Sequence, residues 1–288
     1  MNYFKTTVLL VVLTMVLVWA GSVFGGRQGA ALAFVFAMGM NFFSYWFSDK
    51  IVLKMYGARE VFEGNAPEYF KIIKELTARA GLPMPKMYIM KTQAMNAFAT
   101  GRNPRHAAIA VTEGLLNSLT REELKGVLGH ELAHVQNRDI LISTVVATIA
   151  GAITLLANMA QWAALFGGFG RHDDDEGGGG LALIFMAILA PIAALLIQMA
   201  ISRSREYAAD KRGALLAENP LALAGALEKL SKAATVRPIA AKQTTAHLFI
   251  VNPLRGRSLA AMFSTHPPIE ERVKRLKLMA SERIPVEK

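Results

Sequence analysis

Four stretches of this chain carry no charged residue and are long enough to decide its architecture: Thr7–Phe24, Ala30–Phe47, Ile140–Phe169 and Leu181–Ile201. A helix needs roughly 20 apolar residues to cross the hydrocarbon core of a bilayer, and all four runs meet or approach that length. They predict an integral membrane protein with four transmembrane helices. The first two runs follow one another after a few residues. That spacing predicts a two-helix anchor over 1–47 rather than a cleaved signal peptide with Lys5 as its charged start. For the third and fourth runs a second reading stays open, a buried hydrophobic hairpin inside a soluble domain. Asn158, Gln161 and Gln198 lie within them and need polar partners, and Pro191 removes an interior helical hydrogen bond.

Charge orients the spans. Every Lys and Arg except Arg27 and Arg171 lies before the first run, in 48–139 or in 202–288. If all four runs cross, these residues share one face, and the positive-inside rule places that face in the cytoplasm. The 170–180 loop, GRHDDDEGGGG, is acidic and fits the other side. The net charge of +10 then reflects a cytoplasmic surface facing anionic headgroups of the lipid bilayer. No zinc-knuckle spacing, RNP-like strand or helix-turn-helix pattern is present, so nucleic acid is not the expected partner. The chain has no cysteine, which excludes disulfides and thiolate metal sites. Any metal must be held by His and carboxylates.

Between the runs, 48–139 and 202–288 are expected to form one cytoplasmic domain in two parts, joined through a second hairpin over 140–201. Pro67 opens a helix whose Tyr69, Ile72, Ile73 and Leu76 share one face and which Gly81 ends. Strand-like runs follow at 86–90, 96–100 and 107–111, with the turn GRNPR between the last two. Thr120 with Glu123 three residues on is a capping-box signature, predicting a helix through at least Asp139. In the second part, the segment EYAADKRGALLAE, residues 220–234 and the residues after His266–Pro267–Pro268 read as helices. The domain is therefore expected to be α+β, mainly helical with a small β-sheet.

The chemistry lies in GHELAHVQNRD, Gly129 to Asp139. His130 and His134 are i and i+4 on the helix that Thr120 caps, so both imidazoles lie on one face, where they can grip one metal ion. Glu131 points to a different angle and is free to act on a water at the open coordination position. The ion lowers the water's pKa and polarises a carbonyl, while Glu131 takes the proton and later passes it to the leaving amine. This H-E-x-x-H pattern is that of metal-assisted peptide hydrolysis. A catalytic zinc usually has three protein ligands, and no third His follows at a suitable distance. Glu206 in SREYAADKRGA is the candidate third ligand. Asp210, one turn on, can hydrogen-bond the far nitrogen of a ligating His. The residues alone leave this open against an ordinary acidic pair on a solvated helix.

HELAH running into an apolar hairpin, then SREYAADKRGA, with NAFAT upstream and STHPPIEERV downstream, resembles the HtpX-type membrane zinc metalloproteases, relatives of the CAAX prenyl proteases. The resemblance covers nearly the whole chain in the same order. It implies a gluzincin fold and one Zn2+ per chain on His130, His134 and Glu206. It also implies Glu131 as general base and Asp210 supporting a ligating His. It suggests that Asn96, Ala97, Phe98 and Ala99 form an edge strand that hydrogen-bonds an extended substrate, against a plain packing role for Phe98. His266 is left between oxyanion stabiliser, fourth zinc ligand and structural residue at a helix start. The role implied is proteolytic quality control in the cell inner membrane under stress. Substrates would be misfolded or unassembled membrane proteins, and other membrane quality-control proteases would be partners. Two rivals are a processing protease for lipidated tails and a non-catalytic adaptor with structural zinc.

Overall fold

The computed structural model describes residues 2–146, 149, 203–236, 248–250 and 267–283. The first helix, α1 (Asn2–Met55), takes in both leading apolar runs and continues past them. It is not straight. Asn41 Nδ2 donates to Thr14 Oγ1 at 2.9 Å, yet 27 residues of straight helix would hold them about 40 Å apart. The chain reverses at Gly26, whose φ of +56° is the left-handed conformation that glycine adopts without strain. Gly21 and Gly29 let the two arms touch, for a Cβ on Gly21 would lie 2.5 Å from the Gly29 carbonyl oxygen. The second arm, Gly26–Met55, is long and apolar enough to cross a membrane. Its Phe34, Phe36, Phe42 and Phe43 are exposed in the isolated chain. The third apolar run is described only at 140–146 and 149, and the fourth lies outside the described residues.

Four strands follow α1: β1 (Arg59–Val61), β2 (Lys86–Met90), β3 (Ala97–Gly101) and β4 (Ala107–Thr112). Their order is β1-β2-β4-β3, with β2 and β4 parallel and the other pairs antiparallel, so β3 is an edge. Ala97, Ala99, Ile109 and Val111 face one side, into a core with the helices. Phe98, Ala108 and Ala110 face the other, against Val52 and Leu53 at the end of α1 and against Leu248 and Phe249. Both faces are covered, which is why AAIAV reads as a continuous apolar run rather than an alternating one.

Helix α2 (Pro67–Ala80) buries Tyr69, Ile72, Ile73 and Leu76 and ends on left-handed Gly81, as its pattern predicts. A short α3 (Glu113–Ser118) leads to α4 (Arg121–Gln136). The capping box is complete. Thr120 Oγ1 accepts from the Glu123 N–H, and the Glu123 carboxylate accepts from the Thr120 N–H at 2.8 Å. Thr120→Ala is expected to cost about 1 kcal/mol of stability, read as a lower unfolding midpoint of the detergent-solubilised chain with its metal content unchanged.

The expected continuation of α4 through Asp139 does not occur. The helix closes at Gln136. The Arg138 N–H donates to Val135 O and the Asp139 N–H to His134 O, with Arg138 at φ +58°. This is a Schellman stop in which Arg stands where glycine is usual. Without a glycine the break has no sequence signal. It returns Asp139 to the side of His134 before a new helix, α5 (140–146), begins. Later in the chain come α6 (Arg203–Ala217), α7 (Pro220–Val236) and α8 (Ile269–Arg283).

Candidate metal centre

Helix α4 passes through the centre of the domain and buries His130 and Glu131. Helix α6 crosses close against it because both helices have glycine at the crossing. A Cβ on Gly129 would lie 2.7 Å from Gly213 O, and one on Gly213 2.5 Å from the His130 nitrogen. That backbone approach brings Glu206 and Asp210 to the two histidines. Gly213→Ala must push the helices apart. Overpacking of this kind costs about 1–3 kcal/mol, so the variant is expected to show a lower unfolding midpoint together with weaker metal retention.

The Nε2 atoms of His130 and His134 are 3.2 Å apart. Two nitrogens each about 2.0–2.1 Å from one zinc at the tetrahedral angle lie roughly 3.3–3.4 Å apart, so the pair has the spacing of two corners of such a site. Glu206 lies where a third corner would fall. Its Oε1 is 3.5 Å from His134 Nε2 and its Oε2 3.8 Å from His130 Nε2. One ligand atom from each of the three residues falls within 4.8 Å of the others. The outer nitrogens are engaged. His130 Nδ1 donates to Asp210 Oδ1 at 2.9 Å, and His134 Nδ1 donates to Asp139 Oδ2 at 3.2 Å. A proton on each Nδ1 leaves each Nε2 with a lone pair directed at the cluster. The donor set of two imidazoles and one carboxylate suits zinc with a coordination position left open.

The electrostatics favour a cation here. Burial alone would lower the pKa of His134, but the carboxylates of Asp139, Glu206 and Glu131 outweigh it and push it up to about 9. Burial raises the pKa of Glu131, more than the two neighbouring imidazoles lower it. A buried carboxyl so raised is better matched to taking up a proton near neutral pH. Burial also opposes ionisation of Asp210, but the Arg272 guanidinium beside it holds its carboxyl below the ordinary range.

Glu131 lines the same small cavity as the three candidate ligands, about 40 Å³ in volume, with Ala99 and Phe249 among its walls. The Ala99 N–H is donated to Glu131, so the outer edge of β3 is turned toward the site. Phe98 itself points away. It is fully buried, its ring 6.0 Å from Tyr56 and 5.7 Å from Phe249. The strand thus has a packed side chain at Phe98 and a site-facing backbone at Ala99. Asn96 holds the strand's entry, its N–H donated to Thr112 Oγ1 and its Oδ1 accepting from the Ala97 N–H. His266 lies outside the described residues.

Three features of the site had no reading in the sequence. Asp139 was hidden by the unsignalled helix break. The close approach of Gly129 and Gly213 needed the crossing of α4 and α6. Arg272 is fully buried and forms two bonds to Asp210, Nε to Oδ2 at 2.7 Å and Nη2 to Oδ1 at 2.6 Å. Arg272 shares its helix face with the buried Ile269, Val273 and Leu276, but a charge in so basic a segment reads as one more solvated residue.

The chain matches the model of peptidase family M48 over residues 65–280. A "Protease HtpX homolog" of Desulfatibacillum aliphaticivorans is 60% identical over 275 residues, covering 96% of this chain and 89% of that protein. A second, of Syntrophobacter fumaroxidans, is 60% identical over 279 residues, covering 96% and 99%. Among solved structures, the crystal structure of S. mikatae Ste24p is similar with a TM-score of 0.54 at 18% identity, a likeness of fold. The match takes in 91% of this chain, which spans only 62% of that one.

Proposed function

Because this chain belongs to peptidase family M48, we propose that it is a membrane-anchored endopeptidase whose zinc is held by His130, His134 and Glu206. It is a metalloprotease, and zinc is its ion. Family membership as a peptidase removes the adaptor reading. The observation that carries the ligand assignment is the 3.2 Å spacing of the two Nε2 atoms with Glu206 beside them.

Zinc, when bound, supplies Lewis acidity that polarises the scissile carbonyl and acidifies a water. The rest is done by the chain. Glu131, in the same cavity, takes the water's proton and delivers it to the departing amine. Asp139 and Asp210 hold the two imidazoles in the tautomer that presents Nε2. The outer edge of β3, from Asn96 to Ala99, aligns an extended peptide through its outward carbonyls, the Ala97 and Ala99 N–H groups being bonded to Asn96 and Glu131, a mode that gives affinity with little sequence choice. Such tolerance fits substrates that share only being unfolded.

The position of the cleft supports membrane-protein substrates. Arg102, one residue past β3, stacks on Trp46 of α1 at 4.5 Å. Thr100 on β3 pairs its hydroxyl with Thr144 on α5, 2.9 Å away. Both apolar segments therefore touch the edge strand. With all four runs as spans and the basic segments inside, the site faces the cytoplasm at the surface of the inner membrane, where it clears misfolded or unassembled membrane proteins under stress.

The test uses the full chain in liposomes. An unfolded membrane protein and a panel of prenylated peptides are offered in parallel, with and without a zinc chelator. The reading expects chelator-sensitive cleavage of the unfolded protein at many sites. Cleavage confined to the prenylated tails would instead establish the processing protease.

A further inference from the structure

Arg272 is the largest fully buried side chain among the described residues, and it comes from the last helix, far in sequence from the metal motif. A guanidinium taken wholly out of water persists only where its donors are satisfied. Here they are shared among three parts of the centre. Nε and Nη2 form a fork on Asp210, at 2.7 and 2.6 Å. Nη1 donates to the Ile250 carbonyl at 2.9 Å and lies 3.6 Å from Glu206 Oε2. The same Oδ1 of Asp210 that accepts from Nη2 accepts from His130 Nδ1.

We propose that Arg272 is a positioning residue of the metal centre. It fixes the plane of the Asp210 carboxylate, through that carboxylate the ring of His130, and it holds Ile250 as a wall of the cleft. The proposal rests on the reading of His130 and Glu206 as zinc ligands. The geometry explains why arginine is needed. A two-point grip on one carboxylate together with a third bond to a carbonyl requires a planar fork. A lysine ammonium has the charge but cannot span all three acceptors. With lysine, Asp210 is free to rotate and His130 loses its fixed orientation.

The test measures zinc affinity, not turnover, in the full chain in detergent. Glu131→Gln serves as the parent so that self-cleavage does not interfere. Arg272→Lys is expected to weaken zinc binding about 10–100-fold, the usual cost of losing an outer hydrogen-bond partner, with helix content unchanged. It should also shift the visible bands of the cobalt-substituted protein. In an Asp210→Asn background the same substitution should have little further effect, because the two residues act through one bond. Equal zinc affinity in parent and variant, or fully additive losses with Asp210→Asn, would overturn the proposal while leaving the ligand assignment intact. A parent that binds no zinc would overturn both. Where Arg272→Lys fails to fold, Arg272→Gln, which keeps a planar donor, carries the same comparison.

Discussion

Glu131→Gln is expected to lower kcat on an unfolded protein substrate by about 10²–10⁴-fold, the range for loss of a positioned acid–base group, and to leave bound zinc unchanged. The substitution keeps the size of the side chain and its capacity to accept from the Ala99 N–H. It removes only the ability to take a proton. Glu131 is nearly fully buried on a helix that packs throughout its length, so the isosteric change spares the fold. Zinc content and single-turnover cleavage on the same preparation check this. A variant that cleaves as fast as wild type would remove Glu131 from the reaction. A variant that loses zinc would place it among the ligands.

Removing a proposed ligand should act in the opposite order, on the metal first. His134→Ala and Glu206→Ala are each expected to weaken zinc binding by more than the about 10–100-fold that an outer partner contributes, and to abolish hydrolysis as a consequence. The two need not destabilise equally. His134 is held to Asp139 and borders the cavity, whereas Glu206 lies among His130, His134 and Arg272. Truncating Glu206 leaves Arg272 with one fewer anion in a buried place, so this variant should also show the lower unfolding midpoint. Zinc titration with a chromophoric competitor, run beside thermal unfolding, separates the effects. Unaltered zinc affinity in either variant would exclude that residue from the ligand set.

What could be read from the chain follows from the range over which each signal acts. His130, Glu131 and His134 lie within one helical turn, and a 3.6-residue period is enough to place them together. Thr120 and Glu123 announce the same helix three residues apart. The strands at 86–90 and 107–111 are short apolar runs bounded by turns, and they form as expected. Glu206 and Asp210 were legible as candidates because helical spacing relates them to each other. Nothing local relates them to His130, more than seventy residues away. The missing link was the pair Gly129 and Gly213, whose bare backbones let the helices meet. Glycine inside a helix otherwise signals only weakness. Asp139 escaped notice because its helix break is made by Arg138 in the left-handed region, a conformation that sequence patterns assign to glycine or asparagine. Arg272 escaped because the burial of a charge is decided by tertiary pairing.

On the proposed assignment one zinc, on His130, His134 and Glu206, makes this chain a peptidase. The most direct test is to strip the full-length protein with chelator, titrate zinc back, and follow hydrolysis of an unfolded substrate at each addition. The expected result is no cleavage in the stripped protein and activity that rises linearly to a plateau at one zinc per chain. Cleavage that survives complete removal of metal, or a plateau that requires two ions per chain, would contradict it.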